Sequence, residues 1–152
     1  MELSLRIPAE IAKTEIRAFI LVVENYVQKH PASFNGLALK KLLKVKHHFS
    51  EGLYMRECPI PKGYTVVGAI HRHDHPVFLV KGSARVLTES GGVEELKAPY
   101  YAISPAGTKR LLMTHEDTVW ITTHANPDNC RDIETLEKML VAETYQELQG
   151  AA

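Results

Sequence analysis

The chain has 152 residues, 45% of them hydrophobic and 24% charged, with 18 basic side chains balancing 18 acidic ones. A single domain of that length buries about 70% of its unfolded surface without disulfides or structural metals, and the composition argues against disorder. A formal charge of zero supplies no field to draw in nucleic acid or anionic lipid, and the longest apolar run, Phe19–Val23, is far too short to span a bilayer.

The opening "MELSLRIPAE" lacks the basic start and apolar centre of a secretion signal. Cys58 and Cys130 stand apart with no CxxC spacing, so both thiols are expected to be reduced and the protein to be cytosolic.

From Pro8 to about His30, Ile11, Ile16, Phe19, Ile20, Val23 and Val27 recur at helical spacing, with Pro8 near the start. "HPASFNG" (His30–Gly36) is turn chemistry. "LALKKLLKVKHHF" (Leu37–Phe49) reads as a short basic amphipathic helix running into a strand, its Lys40, Lys41, Lys44 and Lys46 forming a solvated face.

From Gly52 to about Thr123 the pattern changes to short β-type segments punctuated by Gly and Pro, among them "YTVVGAIH", "PVFLV", "ARVLTE", "YYAIS" and "TVWITT". "ESGG" (Glu89–Gly92) is a hairpin turn, and "PKG" and "PAG" mark two more. Strands at this spacing predict a sandwich or small barrel. "THED" (Thr114–Asp117) matches a helix capping box, but the β-branched, aromatic "TVWITT" after it makes it a turn. The closing zone is helical, with Ile133, Leu136, Leu140 and Val141 as one stripe. The expected plan is one structural domain: an N-terminal helical segment (1–50), a barrel core (51–126) and a C-terminal helix (127–152).

Two stretches carry a resemblance. "GAIHRHDHPVFLVKG" (68–82), a strand ending in histidine, a turn and a strand ending in Gly82, resembles the first cupin motif. "SPAGTKR" (Ser104–Arg110) resembles the second, in its proline–x–glycine form. The resemblance covers about Phe49 to Ala125 and implies a mainly β, jelly-roll barrel whose interior commonly holds one divalent metal. "HHFSEGLYMRE", "IPKG", "SPAGTKR", "EDTVWITTHA" and the acidic closing helix are similar to small cupin-like proteins of tailed bacteriophages, which implies a host-cytoplasmic or virion location.

Carried over position by position, the two first-motif histidine positions fall on Ala69 and His71, the glutamate position on His75, and the last ligand position on Arg110. His71 and His75 alone suit Zn, Fe, Ni or Mn only if other ligands complete the shell. His73 in the turn, His124 at the end of "TVWITTH" and His48 on the strand leading into the barrel are the further candidates. Arg110 opposes a metal: a guanidinium about 5 Å from a divalent ion costs roughly 6–7 kcal/mol at an effective dielectric near 20. An anion between them reverses the sign. Three readings of the histidines therefore stay open: a bound metal, a metal-free polar pocket, and rings that satisfy a turn.

Arg110 has two readings as well, an inward fork for an acidic small molecule or an ion pair with a carboxylate such as Glu57. Tyr54 and Arg56 share one strand face and Met55 and Glu57 the other, so one pair points inward; Tyr54, His48 and Arg110 are the candidate ligand-binding residues. Trp120 reads as core, and Cys58 has no base beside it in sequence to make it a nucleophile. Phosphate-binding glycine loops, serine-nucleophile elbows and a helical HExxH are absent from the sequence.

Two functions follow. One is a pocket for a small anionic metabolite, with or without metal and with or without catalysis. The other is a non-catalytic phage accessory or virion protein that uses the barrel as a scaffold. A homodimer is expected in either case, because open sheet edges and amphipathic terminal helices need cover.

Overall fold

A computed structural model describes residues 10–29 and 43–150. Pro8, the turn at 30–36, Lys40, Lys41 and the Val27 side chain lie outside the described residues.

Helix α1 (Lys13–Lys29) carries Glu15 in its first turn and Lys29 in its last, both favourable to the helix dipole. Its stripe of Ile16, Ile20 and Val23 is buried against Val67, Leu87 and Leu111, worth about 1.5–3 kcal/mol per side chain.

Strands β1 (Lys46–Ser50), β2 (Leu53–Ile60), β5 (His75–Lys81), β8 (Tyr100–Ser104) and β10 (Thr118–Ala125) form one antiparallel sheet in the order β1-β2-β10-β5-β8. Strands β3 (Thr65–Val67), β6 (Ser83–Thr88), β7 (Gly92–Lys97) and β9 (Leu111–Thr114) form a second in the order β3-β9-β6-β7. The sheets face each other across Ile60, Val77, Leu79 and Trp120 on one side and Ala84, Val86 and Leu112 on the other. The four-stranded sheet is covered on both faces, inwardly by the core and outwardly by α1. This is why neighbouring residues such as Val86 and Leu87, or Leu111 and Leu112, are all buried.

The chain crosses between sheets at Gly82, whose φ is +82°. A side chain there would strike the Asp117 carbonyl and come within 2.6 Å of Thr118 Oγ1, so only glycine meets both the left-handed backbone and the close approach. His115 and Glu116 bend the chain between β9 and β10, so "THED" opens no helix, as the sequence predicts.

The closing segment departs from expectation. Instead of one helix, α2 (Ile133–Leu140) and α3 (Tyr145–Gly150) flank a two-residue strand β11 (Val141–Ala142). Asp132 caps α2 by accepting from the Thr135 N–H at 2.9 Å. Val141 is extended and pairs with His71 of β4 (Ile70–His71). The Arg72 N–H donates to the Leu140 carbonyl at 2.8 Å, and its Nε donates to the Val141 carbonyl at 3.1 Å. These bonds take up carbonyls that a helix end leaves open, so the helix stops there and the segment folds against the end of the barrel. Leu136 and Leu140 pack on Tyr54. The architecture is mainly β, a jelly roll of two antiparallel sheets with helices at both ends. Among the described residues no helix is long and apolar enough to cross a membrane.

Candidate metal centre

Strand register builds one row of the site. Tyr54 lies opposite His124 on β2 and β10, and His75 opposite Ser104 on β5 and β8. Thr122 pairs with Val77, so the same register two residues on sets His124 beside His75. The inward-facing row is therefore Tyr54, His124, His75 and Ser104, with Arg56, Thr122 and Val77 in the next row.

His71 reaches this row from β4. Its backbone is held by Val141 on one side and by the Gly107 N–H, which donates to the His71 carbonyl at 2.8 Å. The Ala106 N–H donates to Asp74 Oδ1 at 2.7 Å. The two cupin-like motifs are thus latched turn to turn, and the latch positions the histidines.

The three rings converge. Centroids are 4.0 Å apart for His71 and His75, 5.1 Å for His71 and His124, and 4.8 Å for His75 and His124. One ring nitrogen from each lies within 4.8 Å of the others. His75 Nδ1 bonds the His73 carbonyl at 3.1 Å, which makes Nδ1 the protonated nitrogen and leaves Nε2 a free lone pair. That Nε2 and His71 Nδ1 are both buried without a hydrogen-bond partner. Orphaned buried acceptors are costly unless something binds them.

Electrostatics keeps these rings neutral. Burial, reinforced by His75, His124, Arg110 and Arg56, pushes the His71 pKa down to about 2. His124 is lowered to about 4, by burial first and then by His75 and Arg56. His75 is also lowered, by burial first and by Arg110, against the opposing bond to His73. Neutral imidazoles are the form that ligates a metal.

The donor set fits a divalent transition metal. Tetrahedral coordination at about 2.0–2.1 Å places nitrogens roughly 3.4 Å apart, within reach of small rotations of these rings. Among the described residues this is the group of His, Cys, Asp or Glu whose donor atoms could hold an ion.

Arg110 occupies the last ligand position of the motif and lines the same cavity. Its guanidinium carbon sits 5.1 Å over the Trp120 ring, and Nη2 donates to Ser104 Oγ at 3.0 Å. Burial lowers its pKa to about 10, so it stays charged at neutral pH. The ion pair with Glu57 weighed for it does not form. Glu57 points outward and accepts from Lys46 at 3.2 Å, with His48 Nε2 at 2.9 Å.

The remaining candidates divide. Tyr54 lines the cavity and stacks on His124 with centroids 6.1 Å apart. His48 lies on the exposed side of β1, paired with Glu57 outside the cavity. Its neighbour His47, also exposed, has Nδ1 2.8 Å from the Tyr54 hydroxyl. His73 is exposed and contributes its backbone carbonyl to His75. Ala69 lines the cavity without a donor atom in its side chain.

Arg56 faces the cavity with its Nε buried and unpartnered. Residues that sequence reasoning missed include Thr122, in register with Arg56, and Glu137, Leu140, Val141 and Glu143 of the closing segment. Alternation back from His124 signals Thr122.

No protein-family model and no curated protein matches the sequence. Solved structures are similar in fold over part of the chain. KdgF from Halomonas sp. is 20% identical, with 59% of this chain and 82% of that one covered and a TM-score of 0.48. An RmlC-like cupin from Shewanella frigidimarina is 23% identical, with 59% and 78% covered and a TM-score of 0.47. A cupin 2 conserved barrel domain protein from Salinispora arenicola is 14% identical, with 64% and 87% covered and a TM-score of 0.48.

Proposed function

We propose that the protein binds a small anionic molecule inside the barrel, at a divalent transition metal held by His71, His75 and His124. The observation that carries this reading is the convergence of three imidazoles, two of them with orphaned ring nitrogens. A three-histidine set leaves coordination positions open for a ligand, and a metal so bound supplies Lewis-acid polarisation of an oxygen ligand. The chain's own residues do the rest. The His73 carbonyl fixes the His75 tautomer, Ser104 and Trp120 orient Arg110, and the closing segment adds Leu140 and Val141 to the cavity wall.

Elemental analysis of untagged protein, beside an EDTA-treated sample and the His75→Ala variant, tests this. A stoichiometric transition metal is expected, lost with EDTA and in the variant. Wild-type protein with no more metal than the variant would overturn it.

A second reading has its own support. Val80, Tyr101 and Ile103 are exposed on the outer side of β5 and the edge strand β8, a face suited to self-association or to contact with virion proteins. Copurification with particles, together with a metal blank, would favour that scaffold role.

A further inference from the structure

The cavity has a volume of about 160 Å³. At about 10–15 Å³ per water-sized site, it admits a ligand of roughly ten non-hydrogen atoms. Its charge lining is uneven. Arg56 comes from β2 of the five-stranded sheet, and Arg110 from the stretch leading into β9 of the four-stranded sheet. The Arg110 guanidinium donates to the neutral Ser104 hydroxyl. Arg56 Nε is buried with no partner. No carboxylate forms an ion pair with either arginine among the described residues.

Carboxylates do line the cavity, but they are placed elsewhere. Glu24 is taken by the buried Lys109 at 2.7 Å, and Glu137 and Glu143 enter from the closing segment.

Two guanidiniums with no carboxylate in ion-pair contact among the described residues flank a neutral histidine triad, and Glu94 acts on Arg110 only through its field. A buried cation without a counter-charge is expensive. Each guanidinium is a planar fork matched to one carboxylate, and the two come from separate stretches of the chain, Arg56 on β2 and Arg110 just before β9 with its fork over Trp120 and Ser104.

We infer that the ligand is a short dicarboxylate of about four to six carbons, one carboxylate on Arg110 and the other on Arg56, laid across Thr122 beside the histidines. This rests on the reading of the barrel interior as a ligand pocket, and it names the ligand class. The Arg110 carboxylate is also the anion that relieves the repulsion between this guanidinium and a metal on the histidines. A monocarboxylate matches one fork and leaves the other unmet.

Calorimetric titration of succinate, glutarate, adipate, butyrate and inorganic phosphate into metal-loaded and EDTA-treated protein tests the inference. At least one dicarboxylate is expected to bind about tenfold to a hundredfold tighter than butyrate or phosphate. Arg56→Gln and Arg110→Gln should each erase that advantage while leaving butyrate binding within a few-fold in the Arg56 variant. Equal or tighter binding of butyrate or phosphate in wild-type protein would overturn the inference, whether or not the variants fold. Metal content is measured on the same samples, so the two readings separate. A dicarboxylate preference that persists without any metal supports the inference and removes the metal. Stoichiometric metal with no dicarboxylate preference removes the inference and keeps the metal.

Discussion

Acid should destabilise the metal-free protein steeply below pH 6.5, because His71 and His124 resist protonation while it stays folded. An ordinary histidine titrates at 6.5, whereas His71 is held to about 2 and His124 to about 4. Between 6.5 and those values the unfolded chain binds protons that the native one does not, so stability rises with pH through the window and levels off above 6.5. Each group contributes about 1.36 kcal/mol per pH unit, so at pH 5 the two together remove roughly 4 kcal/mol. His75, shifted the same way, adds to the loss. Against a typical domain stability of about 5–15 kcal/mol, this is a large fraction. Urea unfolding followed by Trp120 fluorescence at pH 7.5, 6.5, 5.5 and 5.0 in EDTA measures it. The double variant His71→Gln, His124→Gln should lose much less across the same range. Equal slopes for wild type and variant between pH 6.5 and 5 would refute the reasoning, since the buried rings would then be taking up protons freely.

Gly82→Ala should cost more than Gly63→Ala. Both residues have φ near +80°, a backbone cost of about 1–3 kcal/mol for a non-glycine residue, but a Cβ at Gly63 meets open space while one at Gly82 strikes Asp117 and Thr118. Equal urea midpoints would mean the Gly82 contact is unimportant. Arg72→Ala removes the bonds to the Val141 carbonyl and to Glu147 and should cost about 1–3 kcal/mol. Amide exchange should accelerate first in residues 141–150 and at His71, with the β6–β7 hairpin unchanged; uniform acceleration would count against a local latch.

The barrel was legible in the sequence because its devices are local. Gly82 and Gly107 mark turns, and alternation in "TVWITTH" puts Trp120, Thr122 and His124 on one face. The meeting of His71 with His75 follows from the short turn that separates them in the chain, although β4 pairs with β11 and β5 with β10 and β8. What escaped was set by distant packing. β1 is exposed along most of its length, so nothing in its pattern tells that His47 meets the Tyr54 hydroxyl while His48 meets Glu57. The two residues of β11 are too few to show a period, and apolar Val141 continues the helical stripe until β4 captures it. The Arg110 partner depends on which residues of the opposite sheet lie beneath it. Trp120 and Ser104 are sixteen residues apart in the chain and belong to different strands.

The pairing of Val141 with His71 also orders events in time. A ribosome makes the histidine-bearing turn some seventy residues before the strand that clamps it. Newly made barrel must therefore wait, with one imidazole on an unfinished edge, until its own later residues arrive. A chain cut before Val141 would leave the strand that carries His71 without its backbone partner.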